Sequence, residues 1–263
     1  MRAAFTQLIA WPSSLLLAGC LHWQEEPEHG QAPAKSKGVT EVQLRADGPL
    51  RAKASTTYPQ LVAWPSAEQD KLNKAIENLF VRRYKPAFTE MFSGAAEAEM
   101  EFADDPSKIG ASFYDWMIKD CYAAAYLTRW VISIRGTHYE YTGGAHGNTT
   151  FFNANYWIRR GKIEQVRLSQ LFKPMYLWQE QIDQLIRREL RAQEALWLKD
   201  VKLDPKRKDL LGAAFTFSEK GLEFHYHPYV VGPYTQGSFH VLLPMAEIRH
   251  LIYPGGPMSR LAK

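Results

Sequence analysis

LTRWVISIRGTHYEYTGGAHGNTTFFNANYWI, residues 127–158, holds two strand-like runs and the loop between them. In the first run Trp130, Ile132 and Ile134 alternate with Val131, Ser133 and Arg135, the period of two expected of a strand with distinct faces. Residues 141–150 (YTGGAHGNTT) then bring three glycines and a histidine. Adjacent Gly143 and Gly144 permit positive φ and close backbone approach, which a turn or bulge needs, and Gly147 belongs to the same structural loop. His146 has two readings at this point. It fixes the corner by hydrogen-bonding backbone groups, or it touches a ligand directly.

Working outward, the alternation begins at SFYDWMIKDCYAAAY (112–126) and resumes in FFNANYWI and KIEQVRL, which flank the hairpin signal Arg159-Arg160-Gly161. Upstream, Ser66 with Gln69 makes a capping-box pattern ahead of Leu72, Ala75, Ile76 and Leu79 on one helical face. The helical signal weakens beyond Pro86, where a break is expected. Downstream, residues 175–198 carry the stripe Trp178, Ile182, Leu185, Ile186 and Leu190, with Arg187, Arg188 and Arg191 outside. A second hairpin is expected around Lys220-Gly221, then a strand (SFHVLL) and a short helix opened by Pro244. Helices and strands are segregated and joined by hairpins. That predicts an α+β fold, mainly antiparallel sheet with packed helices, in two adjoining α/β modules.

The chain has 263 residues and a net charge of +4, or +3 without Arg2, and lacks a Lys/Arg stripe. This excess does not suggest nucleic acid. The N-terminus has a secretory layout: Arg2, then an apolar stretch too short to span a bilayer. Leu17-Ala18-Gly19-Cys20 resembles the lipobox of bacterial lipoproteins, which implies removal of residues 1–19 and lipidation, palmitate included, at Cys20. Leu21 in place of Asp points by the usual sorting pattern to the outer membrane, facing the periplasm, with the lipid anchor as the contact to the membrane. Residues 20–50 are rich in Glu, Pro, Gly, Lys and Gln and read as a tether spanning roughly 30 Å. With Cys20 lipidated, Cys121 has no cysteine partner and reads as a buried, inert thiol.

The order YPQL before a helix, YEYTGGAHG, FFNANYWIRRGKIEQVRLSQLF and FTFSEKGLEFHYHPYVVGPYTQGSFHVLLPMAEIRHLI resembles the extracytoplasmic domain of RsiV-type anti-sigma factors, which are lysozyme receptors. The same modules accompany PdaC-type peptidoglycan deacetylases. The resemblance covers roughly residues 55–253 and implies an N-terminal PdaC/RsiV-like module (51–145) and a C-terminal RsiV-like module (146–255). It departs from both families. A lipobox stands where an anti-sigma factor has its membrane helix, and FADD (102–105) only approaches the deacetylase's metal-binding Asp pair, Ala103 breaking it.

No nucleophile elbow and no tight His/Cys/Asp spacing singles out a catalytic centre, so a non-enzymatic binding role without cofactor is expected. The ligand implied is a lysozyme-like protein or peptidoglycan. Candidate contacts are Tyr141, His146, Pro228, Tyr229 and Tyr234, because prolines limit the freedom of loop 227–237 and its tyrosines offer rigid amphipathic area. The alternatives are a metal-assisted hydrolase acting on cell-wall glycan, with His225 and His227 joined by His146 or His240, and a purely structural docking module.

Overall fold

The computed structural model describes residues 39–47, 52–62, 68–101, 116–160, 162–174 and 177–260. Among them, the strands form two sheets. The larger has six strands in chain order: β1 (Val39–Asp47), β2 (Lys53–Leu61), β3 (Met117–Leu127), β4 (Val131–Tyr141), β5 (Asn148–Arg159) and β6 (Lys162–Gln165). Neighbours are antiparallel except β2 and β3, which run parallel. A parallel pair needs a crossover, and helix α1 (Gln69–Glu101) lies within it. The smaller sheet is antiparallel, β7 (Ala214–Phe217), β8 (Gly221–Tyr226) and β9 (Phe239–Pro244), with α2 (Trp178–Ala192) among the elements of its core. The short helices α3 (Arg207–Leu211) and α4 (Met245–Ile248) complete this part of an α+β fold.

Two expectations are corrected. Residues 39–47, assigned to the tether, form β1 and pair along their whole length with β2. Val42, Leu44 and Ala46 alternate with polar residues there, a short signal diluted by the composition of the segment around it. Pro86 does not end the helix, since α1 runs on to Glu101. Its buried stripe, Tyr84, Phe88, Met91 and Ala95, stays on one face beyond the proline, and continued burial outweighs the lost backbone bond, a cost of about 3 kcal/mol. Cys20 and Ser66 lie outside the described residues. The division expected between 145 and 146 falls in the β4–β5 hairpin, inside one sheet.

The two sheets meet through a buried polar seam. β7 is an edge strand, and an edge presents unpaired backbone groups that must be satisfied when buried. Ser133 Oγ accepts from the Phe217 N–H (2.9 Å) and donates to Asn155 Oδ1 (2.5 Å), while Asn155 Nδ2 donates to the Phe215 carbonyl (2.8 Å). Neither Ser133 nor Asn155 is exposed to solvent. The face of β4 that carries Ser133 also carries Arg135, Thr137, Tyr139 and Tyr141 by alternation. That face positions the candidate site.

Candidate functional site

Loop 142–147 and loop 227–237 are far apart in sequence and converge in space. The imidazole of His146 stacks on the Tyr234 ring, centroids 3.6 Å apart and planes 12° from parallel. Tyr229 approaches the edge of this stack, with its hydroxyl 3.4 Å from His146 Nε2 and its ring 5.8 Å from that of Tyr234. His146 Nδ1–H donates to the Gly147 carbonyl (3.0 Å), which fixes the tautomer and leaves Nε2 to accept from Tyr229.

The glycines make this approach possible. Gly143 and Gly144 have φ of 98° and 96°, in the region L side chains avoid. A Cβ on Gly147 would sit 2.4 Å from the Tyr139 ring, so any other residue there would have to displace that ring. The Tyr141 hydroxyl donates to the Gly144 carbonyl (3.0 Å) and braces the turn. Tyr139 has its pKa raised by burial first and then by neighbouring Tyr234 and Tyr141.

The platform is open to solvent. His146 is exposed, and Tyr229 retains 49% of its surface. Tyr229 also has φ of 69°, a strained value for a bulky residue, held in a loop that presents its ring. Of the expected contacts, Tyr141, His146, Tyr229 and Tyr234 come together here. Pro228 does not join them: it is buried, with its carbonyl accepting from His227 Nδ1 (2.9 Å).

The four histidines considered for a metal are split between three places. His225 and His240 meet through their Nδ1 atoms at 2.9 Å, whereas His227 turns to the backbone and His146 to the platform. Among the described residues no group of three or more His, Cys, Asp or Glu side chains is placed to hold a metal ion. An open depression along the outer face of α1, lined by Lys85, Pro86, Thr89, Glu90, Ser93, Gly94 and Glu97, shares no residue with the platform and gathers no convergent polar set.

Sequence reasoning missed a buried ion pair. Asp120 on β3 and His138 on β4 are direct cross-strand partners, with His138 Nδ1 donating to Asp120 Oδ1 at 2.6 Å. Asp120 is fully buried. Burial alone would lower the His138 pKa, but the hydrogen bonds to Asp120 and Glu140 and the charge of Asp120 outweigh it and raise it to about 9, against the opposing charge of Arg83. The available signal was parity: Asp120 shares its face with Ile118, and His138 shares its face with Ile132 and Ile134.

Two family models match separate stretches of the chain: residues 52–149 match one described as Deacetylase PdaC, and residues 169–246 match the Protein of unknown function DUF3298. The pair fits an envelope-related module. A DUF3298 family member from Bacteroides fragilis superposes with a TM-score of 0.65 at 18% identity, covering 87% of this chain and 99% of its own. A DUF3298 family protein from Pseudomonas aeruginosa gives 0.50 at 15% identity, covering 82% and 95%. At such identities the likeness concerns the fold. No curated protein matches the chain.

Proposed function

We propose that this protein is a non-enzymatic binding module of the bacterial envelope, anchored to the outer membrane through lipid on Cys20, whose platform of His146, Tyr229 and Tyr234 contacts peptidoglycan glycan. The observation that supports this reading is the convergence of three aromatic side chains from two loops into one exposed, glycine-shaped surface. Flat rings with polar rims suit sugar rings, whose C–H faces pack on π surfaces while their hydroxyls meet phenol and imidazole groups. A lysozyme-like partner fits less well. Such proteins are generally basic and this chain is itself +3 once residues 1–19 are removed, so long-range steering opposes the encounter.

Co-sedimentation of the full chain with purified sacculi, alongside capture by immobilised lysozyme at low and moderate salt, tests the ligand. Retention on sacculi that Tyr234→Ala weakens supports the proposal. Capture by lysozyme without retention on sacculi would replace the glycan with the protein ligand, and failure of both removes the binding reading. Labelling with a palmitate analogue, lost in Cys20→Ser, tests the anchor.

A further inference from the structure

Beyond the aromatic platform, the same face of β4 carries a cation with no hydrogen-bonded counter-charge among the described residues. Arg135 is largely enclosed where the two sheets face each other, with its guanidinium 5.6 Å above the Phe151 ring. Among the described residues its side chain makes no hydrogen bond and no ion pair within 4 Å. Enclosed charges are ordinarily paired, because removal from water costs several kcal/mol that only a counter-charge offsets. Glu223 on β8 is near enough to act on Arg135 through its charge but not to bond it.

The surroundings of Arg135 are built, not incidental. His225, 2% exposed, makes a contact of 2.8 Å between Nε2 and Thr216 Oγ1 and one of 2.9 Å between Nδ1 and His240 Nδ1. Two facing Nδ1 atoms require one donor and one acceptor. If Thr216 donates to His225 Nε2, then His225 Nδ1–H donates to His240, and the His240 proton moves to Nε2. His240 is exposed, and in that tautomer its Nε2–H is left as a donor. Phe151 lies beside both histidines, 6.2 Å from His225 and 5.7 Å from His240, and forms an apolar wall.

We infer that Arg135, His240 and Phe151 form a socket for a carboxylate group of a ligand, with the guanidinium fork as its main contact and His240 Nε2–H as a second donor. The charge balance selects the anion. One guanidinium, partly offset by Glu223 and flanked by two neutral imidazoles, matches a monovalent carboxylate better than a phosphate dianion. Arg135 and Tyr141 are six residues apart on one face of β4, roughly 20 Å at strand rise, so one extended ligand could reach socket and platform together. The socket does not depend on the platform being a glycan site, and each can fail alone.

The test is titration of the full chain with N-acetylalanine, with its carboxamide and with inorganic phosphate, read by NMR at the Arg135 Nε–H and the His240 ring. The expected result is a saturable shift at both positions with the carboxylate, a weaker one with phosphate and none with the amide. Arg135→Gln should abolish the response, and the surface variant His240→Gln should weaken it in a protein whose fold is checked by the same spectrum. No saturable shift, an equal response to the amide, or an unchanged response in Arg135→Gln overturns the proposal. A response seen only in Glu223→Gln would also overturn it, because Glu223 would then be the native partner of Arg135.

Discussion

The molecule holds two histidine pairs that share a residue type and differ in charge. His138 in the six-stranded sheet lies against buried Asp120, with Glu140 3.7 Å from its Nε2, and its pKa rises to about 9. His225 in the three-stranded sheet is buried beside Arg135 and His240, and its pKa falls to about 2. Burial comes first in both cases and works against the charged form in both. Neighbouring carboxylates reverse it for His138, whereas a guanidinium reinforces it for His225. His240 is held down too, to about 4, by desolvation of its ring first and then by Arg135, and with the higher value of the two it should take up a proton first as pH falls. Burial therefore does not decide a histidine's role; the sign of its nearest charge does.

The comparison can be broken most forcefully at Asp120. Asp120→Ala removes the counter-charge from a buried pair and should cost about 3 kcal/mol in urea unfolding. In that variant His138 should titrate below its ordinary value of about 6.5, as His225 does. A His138 pKa that stays high would show that Asp120 is not the cause.

Next in size is the seam between the sheets. Asn155→Ala leaves the Phe215 carbonyl and Ser133 short of partners and should cost about 2 kcal/mol, read as a lower urea midpoint with an unchanged slope. A loss of slope instead would mean that the two sheets unfold separately.

The pH dependence of stability sharpens the contrast further. The folded pKa of His138 exceeds its unfolded value near 6.5, so its contribution is complete below that pH and lost as pH rises through about 9. His225 and His240 have folded values below 6.5, so stability falls as pH drops from 6.5 through about 4 and on toward 2. Thermal melts from pH 4 to pH 10 should show both flanks. His138→Gln should flatten the alkaline flank and His240→Gln part of the acid one.

The smallest effect on stability is expected at Tyr229. Asn tolerates the left-handed backbone that Tyr229 occupies at φ 69°, so Tyr229→Asn should change stability by about 0.5 kcal/mol or less, in the stabilising direction. Retention on sacculi should nevertheless drop. Unchanged retention would separate the platform from binding.

Local signals were legible wherever one element carried them. The alternation around Ile132 and Ile134, the stripe of α2, and the turns at Arg160 and Lys220-Gly221 all appear as read. Pro86 was misread because the penalty for proline is local, whereas the packing that overrides it comes from strands distant in sequence. The platform was half visible: its tyrosines and His146 stood out as unusual loop residues, but their stacking needed two loops to meet. Asp120 and His138 were invisible as a pair, since a charge at a buried parity acquires meaning only once the strands are in register.

By itself the sequence determined the α+β class, the hairpins, and the glycine-bearing loop at 142–147, because period, turn chemistry and positive φ are properties of neighbouring residues. Only the tertiary structure decided which histidine is charged, which proline is buried, and that His146 lies on Tyr234 while the Arg135 side chain, among the described residues, has no hydrogen bond or ion pair. Those outcomes depend on desolvation and on charges a few ångströms away, and such distances exist only after the sheets have packed.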